Sequence, residues 1–87
     1  MEIKILKYTK NELEIELNNL TIAELIRDML WEDKATKLAA WKREHPTKNP
    51  ILILKTSGKD PKKVMFDTVA KIQKINSDLT KEFKKAF

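Results

Sequence analysis

The 87-residue chain has no cysteine, one histidine and one glycine. Without cysteine there is no disulfide scaffold and no thiolate metal site. One histidine excludes a multi-histidine metal cluster, and one glycine excludes a glycine-rich phosphate loop. No apolar run approaches the roughly 20 residues of a membrane span. Charges at Glu2, Lys4 and Lys7 interrupt any apolar signal segment at the start. A chain this short forms one domain and has little material for both a core and a deep pocket. These absences point to a soluble, intracellular binding or assembly module. They exclude most ways of building an active site, and no cofactor is expected.

Charge is present but unevenly placed. Residues 1–44 carry 8 Lys+Arg and 9 Asp+Glu, whereas residues 45–87 carry 10 and 4. The net charge of +5 therefore lies in the second half. A lysine-rich face of this kind is either a solvated surface or a polyanion contact.

The hydrophobic pattern predicts the order β-β-α-β-β-α. Residues 2–8 read as a strand with Ile3 and Ile5 on one face. Glu12 to Leu17 alternates without error, with Leu13, Ile15 and Leu17 inward and three glutamates outward. The break at Thr9-Lys10-Asn11 makes the two a hairpin, with lysines and glutamates paired across it. Thr21-Ile22-Ala23-Glu24 reads as a capping box, with Leu20 and Leu25 as its hydrophobic staple. Ile22, Leu25, Ile26, Met29 and Leu30 then recur at helical spacing up to Trp31–Asp33. Residues 37–43 form a third strand, with Leu38 and Ala40 on one face and Ala39 and Trp41 on the other. The continuous run Ile51–Leu54 predicts a central strand covered on both faces. Asp60 followed by Pro61 is a helix start.

The last helix is expected to run from about Pro61 to Lys85. Its length would be about 37 Å, against about 20 Å for the width of a four-stranded sheet. Met65, Val69, Ile72, Leu79 and Phe83 form its apolar stripe, flanked by Ile75. The far end, with Leu79, Phe83 and Phe87, is expected to overhang the sheet and to need a partner.

No catalytic set emerges. Asp60 reads as a helix cap, the Glu12, Glu14 and Glu16 row as a solvated strand face, and His45 beside Pro46 as a turn residue. Trp31 and Trp41 read as core or interface packing. Lys62, Lys63, Lys71, Lys74, Lys81, Lys84 and Lys85 are spread around the polar arc of the last helix.

Four stretches, in order, give the chain a family resemblance. They are Met1–Leu6, Thr21–Arg27, Ala39-Ala40-Trp41 leading to His45-Pro46, and Lys55-Thr56 with Gly58–Pro61. Together they resemble the L subunit (subunit 11) of archaeal DNA-directed RNA polymerase, a family related to the N-terminal domain of the bacterial alpha subunit. The helix motif of that family reads His-Thr-Leu-Gly-Asn-Leu-Leu-Arg. Here Thr21, Leu25 and Arg27 match it, while Leu20 replaces the His and Ala23-Glu24 the Gly-Asn.

The resemblance implies an α+β fold. It would be a four-stranded antiparallel sheet with two helices on one side, one of them long and C-terminal. Residues 1–87 would be a single alpha-like dimerisation domain. It implies a chain that is not catalytic on its own. Such a chain pairs with the larger D subunit to build the platform for the large catalytic subunits, and meets DNA only through the complex. The expected interface is Leu25, Ile26, Met29, Met65, Val69, Ile72, Leu79 and Phe83. The pattern alone does not divide these between sheet and partner. Isolated, the chain could pair with itself through the same stripe. The rival readings are a small basic nucleic-acid-binding domain and, with least room for a site, a small enzyme. The expected location is cytoplasmic.

Overall fold

The computed structural model describes residues 2–72 and 79–87. Its elements are β1 (Ile3–Tyr8), β2 (Glu12–Leu17), α1 (Leu20–Leu30), β3 (Thr36–Lys42), β4 (Ile51–Thr56), α2 (Pro61–Ile72) and α3 (Leu79–Ala86). The strands form one antiparallel sheet in the order β1-β2-β4-β3.

The hairpin closes as its residues suggest. Thr9 N–H donates to the Glu12 carbonyl at 2.8 Å, and the Thr9 hydroxyl accepts from Glu12 N–H at 3.1 Å. Ile3 faces Leu17 and Ile5 faces Ile15, then the register shifts, leaving Leu6 as an extra residue in β1. Lys4 lies opposite Glu16 and Lys7 opposite Glu14, and Lys7 bridges diagonally to Glu12 at 2.9 Å.

One sheet face carries the core. Leu13, Ile15, Leu17, Leu52 and Leu54 are fully buried, joined by Ala39 of β3. The other face is less covered than the run Ile51–Leu54 suggested. Ile51 and Ile53 are only half-buried and stand outside the core cluster. The alternation along β4 thus resolves into one buried row and one open row.

Helix α1 starts one residue before the expected cap. Asn19, in extended backbone, accepts from Ile22 N–H at 3.0 Å, and its own carbonyl accepts from Ala23 N–H. The cap is therefore Asn19, with Thr21 exposed inside the first turn. Asparagine outranks threonine as a cap, and starting earlier brings Leu20 into the helix. This frame buries Ile22, Ala23, Ile26 and Leu30.

Trp31, half-exposed at the end of α1, has a defined task at the sheet edge. Leu17 N–H donates to the carbonyl of Pro50, just before β4, and Thr56 N–H donates to the Asn11 carbonyl, so the even-numbered residues of β4 bond to β2. The odd-numbered residues then bond to Leu38, Ala40 and Lys42 of β3, leaving the Ala39 carbonyl on the free edge. The Trp31 indole N–H donates to that carbonyl at 3.0 Å. An otherwise open edge group is thereby occupied.

The C-terminal region is two helices, and this corrects the expected overhang. Phe66 and Phe83 rings lie 6.3 Å apart. Seventeen residues of straight helix would separate them by about 25 Å. Instead α3 packs against α2 and β1. Phe83 is fully buried, and Phe87 is half-buried at 5.6 Å from Tyr8 and 5.5 Å from Phe66. The apolar stripe turns inward rather than into water. Ile75 and the Leu79 side chain lie outside the described residues.

The cap assignment yields a direct test. Asn19→Ala should lower unfolding free energy by about 1 kcal/mol in urea titration, and Thr21→Ala by less than about 0.5 kcal/mol. The reverse ranking would return the cap to Thr21.

Candidate dimerisation surface

The helix layer over the sheet is the one surface where the sequence argument places a function. Its frame is set by short polar locks. Gly58, at φ +79°, takes the left-handed turn that leads out of β4. Thr56 donates its hydroxyl proton to the Lys59 carbonyl at 2.7 Å. Asp60 then accepts from Lys62 N–H at 3.0 Å, and Pro61 opens α2.

One lysine, just ahead of α2, joins the end of α1 to the middle of α2. Lys59 Nζ lies 3.1 Å from Asp33, just past α1, and 3.5 Å from Asp67 on α2. Asp33 also accepts from Ala35 N–H at 2.8 Å. That backbone bond, and then Lys59, hold the Asp33 carboxyl below its ordinary range. Lys59 is raised in turn, chiefly by its bond to Asp33. The sequence pattern did not signal this lock, because its three residues are 26 and 8 positions apart in sequence.

A second unsignalled cluster sits where β1, α2 and α3 meet. The Tyr8 hydroxyl donates to the Asp60 carboxylate, with oxygens at 2.7 and 2.9 Å. That bond raises the Tyr8 pKa, so the phenol stays protonated. Lys62 Nζ lies 5.2 Å from the Phe87 ring and 5.9 Å from Phe66. Asp60 is thus a helix cap, as its sequence context implied, and additionally an anchor for β1.

The expected interface residues divide clearly. Ile26, Met65, Val69, Ile72 and Phe83 are in the chain's own core. Leu25 and Met29 of α1 are half-buried at its margin. The side chain of Leu79 lies outside the described residues. Arg27, on the same helix, places Nη2 at 2.9 Å from its neighbour Asp28, while its buried Nε has no hydrogen-bond partner among the described residues.

The other candidates stay apart. His45 is exposed, its Nδ1 2.9 Å from the Thr47 hydroxyl within one turn. Glu12, Glu14 and Glu16 lie on the open sheet face. Lys63, Lys71, Lys81, Lys84 and Lys85 are exposed on two different helices, Lys62 is half-buried, and Lys74 lies outside the described residues. No helix among the described residues is long and apolar enough to cross a membrane.

Residues 10–82 match the RNA polymerase Rpb3/Rpb11 dimerisation domain. The chain belongs to that family. It is 35% identical to DNA-directed RNA polymerase subunit Rpo11 of Methanothrix thermoacetophila, across 99% of this chain and 98% of that protein. It is 32% identical to the Rpo11 subunit of Methanocaldococcus jannaschii, across 97% of both. The crystal structure of DNA-directed RNA polymerase subunit L from Thermoplasma acidophilum superposes with a TM-score of 0.74 at 22% identity, covering 99% of this chain and 88% of that one. The α+β fold of the Rpb3/Rpb11 family is therefore the fold of this chain.

The Asp33 lock predicts a pH response. A carboxyl with a depressed folded pKa contributes stability that is complete above its unfolded value, near 3.8, and is lost as pH falls through the folded value. Asp33→Asn should therefore weaken the chain at pH 7 and flatten the acid limb below pH about 4. Urea midpoints measured from pH 7 to pH 2.5 would show this as converging curves. Parallel curves would remove Asp33 from the acid response.

Proposed function

We infer that this chain is the L-type assembly subunit of an archaeal DNA-directed RNA polymerase. It has no catalysis of its own. It pairs with the larger, alpha-like D subunit, and the pair carries the large catalytic subunits. Contact with DNA comes through the complex, and the location is cytoplasmic. The observation that carries this reading is the near full-length similarity to Rpo11 subunits, through a domain described as a dimerisation domain.

The chemistry of the helix layer supports the same reading. Leu25 and Met29 are apolar side chains left half-covered on α1, beside the buried Ile26. On a partner's helices they would complete their burial, and obligate interfaces of this kind bury about 2,000 Å² or more in total. Such surface also allows self-pairing when the chain is alone. Phe83, also expected at the interface, lies in the chain's own core. A charge placed there would strike the fold before it reported on pairing.

The test uses the margin residues instead. Leu25→Glu with Met29→Glu should abolish co-purification with the D-type partner. The far-UV circular dichroism should be unchanged and the stability loss below about 2 kcal/mol. Undiminished co-purification would refute the assigned surface. A wild-type chain that instead retains only nucleic acid, released as salt rises, would favour the basic binding module.

A further inference from the structure

We propose that α3 is an internal stand-in for the partner: alone, the chain uses it to cover apolar surface on α2 and β1, and pairing lifts it away. This rests on the pairing reading above and adds how the pairing surface is regulated.

Leu25 and Met29 offer only a narrow half-covered patch, and Ile26, Met65, Val69, Ile72 and Phe83 are already buried within the chain. An interface broader than that patch needs some cover to move. Helices α1 and α2 are poor candidates, because α1 covers β3 and β4, α2 covers β2 and β4, and the two are joined by Lys59. Removing this layer would expose the fully buried Leu13, Ile15, Leu52 and Leu54.

α3 differs on each count. It packs on the edge strand β1, whose Ile3 and Ile5 are only half-buried even with α3 in place. It has eight residues, too few to persist as a helix without packing. Its ring contacts are Phe83 beside Phe66 and Phe87 against Tyr8 and Phe66, with the Lys62 ammonium over the Phe87 ring. Three lysines (Lys81, Lys84 and Lys85) point to solvent, so little polar bonding is lost when it leaves. Phe83 also continues the helical spacing of Met65, Val69 and Ile72 along the sequence. The same apolar residue that seals the lone chain therefore falls on the stripe that a partner helix would meet.

The absence of cysteine makes the test clean. Lys4 and Lys85 are exposed and line one concavity between β1 and α3. Lys4→Cys with Lys85→Cys, labelled with pyrene, should give excimer fluorescence in the free chain. Saturation with the D-type partner should reduce that band by about 5-fold or more. Pairing with the excimer retained would overturn the proposal and leave the pairing reading intact. A free chain without excimer would overturn it as well. Failure to pair at all would sink the pairing reading and this proposal with it. In the same labelled background, Phe87→Ala should weaken the excimer of the free chain and tighten partner binding by about 3- to 10-fold, because less cover competes. An unchanged dissociation constant with a weakened excimer would count against α3 as the competing element.

Discussion

Everything in this small structure answers to one apolar surface. The inner face of β2 and β4 presents Leu13, Ile15, Leu17, Leu52 and Leu54, each without solvent exposure. An 87-residue chain has few elements with which to cover such a face. Helices α1 and α2 lie over it, and their polar neighbours fix where they start and how they meet. Asn19 sets the phase of α1, so that Ile22, Ala23, Ile26 and Leu30 all turn inward. Gly58, Asp60 and Pro61 set the start of α2. Lys59, between Asp33 just past α1 and Asp67 midway along α2, then ties the two helices together.

The margins of the sheet are handled differently. At the β3 edge, Trp31 spends its indole N–H on the Ala39 carbonyl while half its surface stays in solvent. That explains an exposed tryptophan without invoking a ligand. At the β1 edge, α3 supplies the cover, with Phe83 in the core and Phe87 against Tyr8. The outer sheet face carries an alternation of lysine and glutamate, with Lys4 opposite Glu16 and Lys7 opposite Glu14. Exposed pairs of this type contribute register more than stability.

The chain belongs to the RNA polymerase Rpb3/Rpb11 dimerisation family. In α1, Ala23 is fully buried at the foot of the helix. Arg27 keeps a buried Nε without a partner among the described residues. The apolar stripe of the C-terminal region serves the lone fold through Phe83.

Much was legible from residues alone. Strict alternation placed β2 at Glu12–Leu17, and the Asp60-Pro61 pair placed the start of α2. These signals are local, because a strand period or a cap needs only a few neighbouring residues. The resemblance was equally readable, since it rests on the order and spacing of short stretches. Other features needed the tertiary structure. The capping box at Thr21 was a sound local pattern, but Asn19, two residues earlier, was the better acceptor in context. The run Ile51–Leu54 could not say which face would be left open. The Asp33–Lys59–Asp67 lock joins three separate segments of the chain, so no local period signals it. Periodicity marked Met65, Val69, Ile72 and Phe83 as apolar residues at helical spacing. What Phe83 packs against was decided by the fold: burying it beside Phe66 in the lone chain removes apolar surface from water, and only folded neighbours can supply that site.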